Sequence, residues 1–281
     1  MAYSESDQDR SKQNPAKLAG KVAVITGGSM GIGEAIAKLF VKHGAQVVLL
    51  SRDSTRLEAA RVRIGHLDQT LAIACDVRHR EEIDRAIGLV MHHFQRIDIW
   101  INNAGHGLFD SIANMQMSDC RETFDTNFFG TIEAMKAVIP IMKQQCSGAI
   151  INVSSVAGHI PLPFNATYSA TKFAMNAIGK AARIELAGSG IHVTTVCPGY
   201  VRTDFGSNAV RGSNYRQVRP ASARGISAER VARAVLNGYL KQTREVIVPW
   251  TMHPVVKIYQ LFPGLVEWSM TRMTRKKPMQ P

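Results

Sequence analysis

"VAVITGGSMGIGEAIAKLF", residues 22–40, runs from an apolar β-branched stretch through a glycine cluster into a pattern with helical spacing. Five residues, Val22 to Thr26, suit a buried strand, and Gly27, Gly31 and Gly33 mark a tight turn that opens directly into a helix. A strand, a glycine turn and a helix in immediate succession form the first half of a βαβ unit, which dictates a parallel sheet. The same turn brings backbone N–H groups to a helix N-terminus, where the dipole favours an anion such as a pyrophosphate.

Outward from this stretch the pattern repeats. Apolar runs at 46–50, 71–75, 98–101, 149–153, 192–197 and 245–248 alternate with helical periodicity at 32–43, 54–64, 79–95, 118–145, 166–188 and 227–240. Strands that are apolar throughout are buried on both faces. The expected fold is α/β: a doubly wound, mainly parallel seven-stranded sheet with helices on both faces, of the Rossmann type. Residues 1–17 read as a flexible polar lead-in, 18–250 as one dinucleotide-binding and catalytic domain, and 251–281 as an apolar and basic extension. Gly44 and Gly190 sit where helices must stop before the next strand.

With 45% apolar and 20% charged residues, the 281-residue chain can bury a sizeable core. The N-terminal stretch lacks an apolar h-region, and no run approaches the ~18 apolar residues of a spanning helix. Cys75, Cys120, Cys146 and Cys197 share no C-x-x-C spacing and lie in apolar or helical runs, which points to reduced, buried thiols and a cytoplasmic setting. The net charge of +12 is uneven: from residue 200 onward there are 14 Lys+Arg against 4 Asp+Glu, an excess of 14 − 4 = +10. Nucleic-acid signatures are absent, so an anionic substrate, an acidic carrier or weak peripheral membrane contact accounts for that excess.

In such sheets ligands bind beyond the carboxyl ends of the strands. The turn also fits G-x-S-x-G with Ser29 as a nucleophile, but an elbow after the first strand has nothing upstream to form an oxyanion hole, which disfavours a serine hydrolase. At the end of the second strand the chain reads "LLSRDST". Ser51 stands where an acid would take a ribose hydroxyl, and Arg52 suits a 2′-phosphate, so NADP is expected over NAD. Asp53 either repels that phosphate or caps the next helix. "YSATK", 168–172, places Tyr168 and Lys172 four apart and therefore on one helix face. A phenol of pKa about 10 needs about 4 kcal/mol to drop about three units. An ammonium about 4 Å away supplies roughly that at an effective dielectric near 20.

Together "TGGSMGIG" (26–33), "CDV" (75–77), "NNAG" (102–105), "DTNFFG" (125–130), "NVSSVAG" (152–158), "YSATK" and "PGYVRT" (198–203) resemble the short-chain dehydrogenase/reductase family, in the family's order. The resemblance runs from Lys21 to about Val248. It implies a reversible NADP(H)-dependent hydride transfer between nicotinamide and a carbonyl or secondary alcohol, on an apolar or acyl-thioester type of substrate. It also implies a homodimer or homotetramer packed through the helices at 118–145 and 166–188. By the resemblance the catalytic set is Asn127, Ser155, Tyr168 and Lys172, with Tyr168 as acid/base, Ser155 on the substrate oxygen and Asn127 holding a water next to Lys172. Cofactor contacts fall to Gly27, Ser29, Gly31, Ile32, Gly33, Arg52, Asp76, Val77, Asn103, Ala104, Gly105, Tyr168, Lys172, Pro198, Gly199 and Thr203. Met30 departs from relatives that carry a base there, which leaves the 2′-phosphate to Arg52. A nucleotide-sensing binding protein on the same fold is the competing reading.

Residues 205–224, with Arg211, Arg216, Arg219 and Arg224, have the composition of a lid over the substrate pocket. The apolar run at 253–274 is expected to wall that pocket. His106 and His159 are expected to line the cleft, and no metal motif is present.

Overall fold

The computed structural model describes residues 16–212 and 225–275. Seven strands form one sheet: β1 (Val22–Thr26), β2 (Gln46–Ser51), β3 (Thr70–Ala74), β4 (Ile99–Asn102), β6 (Gly148–Val153), β7 (Ile191–Pro198) and β9 (Glu245–Val248). Their order is β3-β2-β1-β4-β6-β7-β9, and every pairing is parallel. The expected doubly wound architecture is therefore present. Strand order reverses between β1 and β4, successive connections running outward to opposite edges, and such a switch point opens a crevice at the carboxyl edge. A second, two-stranded sheet, β5 (Leu108–Phe109) with β8 (Val210–Arg211), joins the segments that follow β4 and β7. Two residues per strand is too short for periodicity to reveal.

One face is covered by α1 (Gly31–Lys42), α2 (Ser54–Ile64) and α7 (Ala228–Leu240), packed through Ile36, Phe40, Leu57 and Val235 onto Ile25, Leu49 and Val196. The other carries α3 (Arg80–Phe94), α5 (Gly130–Gln144) and α6 (Ala166–Glu185), through Ile83, Val138 and Ala182 onto Val24, Trp100 and Ile150. Gly44 and Gly190 adopt φ of 86° and 77°, the left-handed conformation that lets each helix exit turn into the next strand.

The helix expected over 118–145 is three consecutive pieces. α4 (Met117–Phe124) passes into a π-turn at Asp125–Phe129 and then into α5. Two further helices, α8 (Met252–Leu261) and α9 (Pro263–Arg275), end the described chain. Val256, Met252, Tyr259 and Met270 pack against Val156, Ile160 and Ile247, while Trp250, Leu261, Phe262, Leu265 and Trp268 face outward. The 253–274 run thus packs along one face and leaves the other exposed. Cys146 also departs from expectation: it is exposed at φ 51°, in the turn that ends α5. Cys75 and Cys197 are buried, and all four thiols are free.

Candidate active site

The glycine turn is built from both sides of the switch point. Asn103, just past β4, donates its side-chain amide to the carbonyls of Thr26 and Gly27, each at 3.0 Å. Thr26 Oγ1 accepts from the Asn103 and Ala104 amides at 2.9 and 3.0 Å. This hub was not singled out from the sequence, because a threonine ending a strand has no distinguishing spacing. Gly27 and Gly31 hold φ of 64° and 55°, and a methyl at Gly33 would collide with the Gly27 carbonyl. The N-cap of α1 is Met30, whose side chain caps nothing, so the first-turn N–H groups keep their capacity for an anion. Ile32 differs from its neighbours in packing on the core. Thr203 lies directly across from the turn: a methyl on Gly31 would sit 3.3 Å from its Cγ2.

At the end of β2, Ser51 and Ser29 share a hydrogen bond at 3.1 Å, and the next residue, Arg52, is largely exposed, 3.8 Å from Glu122. Asp53 resolves toward capping: its carboxylate accepts from the Arg56 amide at 2.9 Å. Arg63 donates to the Ser29 carbonyl at 3.3 Å and to Glu34 at 2.8 Å, so a second guanidinium borders the turn. Asp76 is clamped by Arg78, which also reaches Glu122 at 2.8 Å. Burial pushes the Asp76 carboxyl up, but the Arg78 hydrogen bonds outweigh it and hold the group below its usual range. Arg78, two places after Asp76, was a legible signal left unread. Val77 backs onto Gly130 at the π-turn's end.

The proposed catalytic residues meet at the mouth of this crevice. Tyr168 and Lys172 share one face of α6, with Lys172 Nζ 5.6 Å from the phenol ring centroid. Lys172 is only 4% exposed and donates to the Val153 carbonyl at 3.0 Å. Ser155 lies beside the phenol, where it favours the ionised form. Its hydroxyl accepts from the Ala157 amide at 3.0 Å and donates to the Pro198 carbonyl at 3.4 Å. Gly199 is tied to β9 through Val248 at 2.7 Å. The electrostatics depart from the expected lowered phenol: burial pushes Tyr168 up to about 12, with the neighbouring Ser155 opposing, and burial brings Lys172 down to about 8. At that separation and depth, desolvation outweighs attraction.

Asn127, fully buried in the π-turn, exchanges bonds of 2.9 Å with the His106 amide and carbonyl and donates to Thr171 Oγ1 at 3.2 Å. Its amide nitrogen is committed to protein partners, so it fastens the loop carrying Gly105. A methyl on Gly105 would lie 2.9 Å from Asn127 Oδ1 and 3.8 Å from Lys172 Nζ. His106 packs against this loop, its imidazole 3.2 Å from Thr123 Oγ1 and held low by burial. The Phe205 ring lies 5.4 Å from that of Tyr168, tilted at 59°. The expected lid falls mostly outside the described residues, including Arg216, Arg219 and Arg224; Arg211, in β8, bonds the Gly206 carbonyl.

Residues 21–214 match the family model described as short chain dehydrogenase. This chain belongs to that family. A Drosophila melanogaster dehydrogenase/reductase SDR family protein 7-like is 32% identical over 268 residues, covering 92% of this chain and 82% of the fly protein. Among solved structures, a Burkholderia phymatum short chain dehydrogenase/reductase in complex with NAD superposes with a TM-score of 0.81 at 22% identity, covering 89% of this chain and 96% of that one. A Brucella melitensis 3-ketoacyl-(acyl-carrier-protein) reductase complexed with NADH gives 0.74 at 29%, covering 83% and 98%. This short-chain dehydrogenase has an oxidoreductase's family, and its fold is the Rossmann-type sheet of those structures.

Proposed function

We propose that the chain is an NADP(H)-dependent oxidoreductase interconverting a carbonyl and a secondary alcohol, with Tyr168 as the acid/base. The observation that carries this reading is that Tyr168 and the buried Lys172 share one face of α6, in a sheet whose first strand leads through the glycine turn into the uncapped N-terminus of α1. The tight turn, in which a Cβ on Gly27 or Gly33 would strike Ala104 or the Gly27 carbonyl and so only glycine lets the backbone close up, fits a dinucleotide. When bound, its nicotinamide supplies or accepts the hydride.

The chain's own residues handle the proton. Ser155 and Tyr168 hydrogen-bond the substrate oxygen, and Tyr168 gives up its proton there as negative charge develops. A phenol held up at about 12 rests as a proton donor, the form that reduction consumes. Lys172, pinned by Val153, places a cation beneath the ring and offers donors toward a ribose, while Asn127 and Gly105 keep open the space around its head group.

For NADP over NAD speak the serine at 51, the loosely held Arg52 and the turning of Asp53 into a helix cap. Phe109, Phe205 and Tyr200 favour an apolar or acyl-type substrate. The free cysteines favour the cytoplasm. We further read 18–250 as the catalytic unit and 251–281 as an extension whose exposed aromatic face makes weak peripheral contact with acidic lipid. Exposed Phe129, Phe173 and Ile184 on the α4–α6 helices suit a homodimer or homotetramer contact.

The deciding experiment is Tyr168→Phe, assayed by NADPH fluorescence and by turnover on ketones, steroids and acyl thioesters. Binding is expected to persist and kcat to fall by about a thousandfold. Substantial residual reduction refutes the acid/base assignment. Arg52→Ser should weaken NADPH roughly tenfold and leave NADH unchanged; equal wild-type affinity for both dinucleotides overturns the NADP assignment.

A further inference from the structure

Behind the catalytic crevice, three side chains with no motif spacing converge. His159 follows the short 3-10 turn after Ser155, Cys197 lies near the end of β7, and Glu245 opens β9. β7 and β9 pair in parallel with Thr195 opposite Glu245 and Cys197 opposite Ile247, so Cys197 and Glu245 project from the same face, the one α6 covers. His159 Nε2 lies 3.3 Å from Glu245 Oε1 and 3.5 Å from Cys197 Sγ. All three atoms lie within 4.8 Å of one another.

The cluster is over-subscribed. An imidazole nitrogen offers one proton or one lone pair, yet the carboxylate, the thiol and the Asn176 amide, at 3.4 Å, all face His159 Nε2. Glu245 Oε1 is shielded from water and makes no bond of hydrogen-bonding geometry, and Lys180, at 3.7 Å, offers it a charge contact only. A central cation would satisfy nitrogen, sulfur and oxygen together. Tetrahedral bonds of about 2.3 Å to sulfur, 2.0 Å to nitrogen and 2.1 Å to oxygen give a nitrogen–sulfur edge of about 3.5 Å and a nitrogen–oxygen edge of about 3.4 Å. Those match the two observed separations, and the remaining edge closes by rotation of Glu245.

We propose that His159, Cys197 and Glu245 form a binding site for a zinc-type divalent transition metal. Asn176 Oδ1, 3.8 Å from Cys197 Sγ, or a solvent oxygen would complete the tetrahedron. One thiolate, one imidazole and one carboxylate select such a metal over magnesium or calcium. On binding, the Cys197 S–H bond breaks, its electron pair becomes the metal–sulfur bond, and the proton leaves to water. Thiolate and carboxylate neutralise the dication, so the site buries no net charge. It would tie the segment carrying Ser155 to the sheet edge at β9. The assignment is independent of the redox reading.

The test uses the full, untagged chain, stripped with a chelator and titrated with Co²⁺. One equivalent should bind with intense tetrahedral d–d bands and a thiolate-to-cobalt charge-transfer band, and Zn²⁺ should raise Tm. Cys197→Ser should lose the charge-transfer band and bind about a hundredfold more weakly or worse. Glu245→Gln, nearly isosteric, should weaken binding without loss of the circular-dichroism signature. Lys180→Met, which removes a neighbouring cation and no ligand, should tighten it. Absence of stoichiometric Co²⁺, a spectrum without the thiolate band, or an unchanged spectrum in Cys197→Ser overturns the proposal and leaves a His159–Glu245 contact beside a thiol.

Discussion

Lys172 is a cation kept away from water, and its burial has a consequence that can be read in solution. An ammonium brought down to about 8 is charged below that pH and neutral above it. If the charge is needed beneath Tyr168, kcat for reduction should be level at lower pH and fall as pH rises through about 8. A profile flat to about pH 10, near the ordinary lysine value, would show that the charge is not required. The Tyr168–Lys172 spacing was legible, because four residues fix a shared helix face whatever surrounds it. The phenol's position at about 12 was not: burial depends on packing against groups distant in sequence, Phe205 among them. Arg52 and Asp53 show the same division. Their types announced a choice between phosphate clamp and helix cap, and only the folded Asp53–Arg56 bond assigned the cap.

Among the elements, the π-turn at Asp125–Phe129 bears most directly on the site, since it carries Asn127 into contact with the loop after β4. Single-turn π-bulges are frequent at functional sites. Apolar periodicity cannot distinguish one wider turn from the helix around it, which is why 118–145 reads as a continuous helix. Asn127 in turn sets the space at Gly105. Gly105→Ala puts a methyl 2.9 Å from Asn127 Oδ1, so the amide or the loop must shift. We expect kcat to fall by about a hundredfold, the cost of a displacement near 1 Å at reacting groups, with little change in Tm. Unaltered kcat would dissociate the Asn127 clamp from turnover. The sheet's strands were legible to within a residue or so at each end, because buried parallel strands are apolar throughout. The β5–β8 pair was not, since it is made of loops brought together by the larger sheet.

On the scale of the whole molecule, charge and exposed apolar surface gather at the C-terminal end. Of three tryptophans, Trp100 is fully buried, whereas Trp250 and Trp268 are 70% and 56% exposed, beside Leu261 and Phe262. Arg272 stacks on Trp268 at 4.1 Å, and among the described residues no helix is long and apolar enough to cross a membrane. Composition disclosed the basic excess, but which side chains face outward depended on how α8 and α9 dock. Vesicles rich in phosphatidylserine should co-sediment the protein at low salt and release it as salt rises, with Trp268→Ser weakening capture. Equal capture by neutral vesicles, or none by acidic ones, would direct attention to self-association, which Ile184→Asp and sedimentation velocity would report. Finally, Thr203 beside Gly31 and Phe205 against Tyr168 stand two residues apart on one short segment. A ligand settled against Thr203 would therefore border the Phe205–Tyr168 contact. On the proposed function we expect a compulsory sequence of arrival, nucleotide first and last to leave, and product-inhibition patterns of a random mechanism would contradict it.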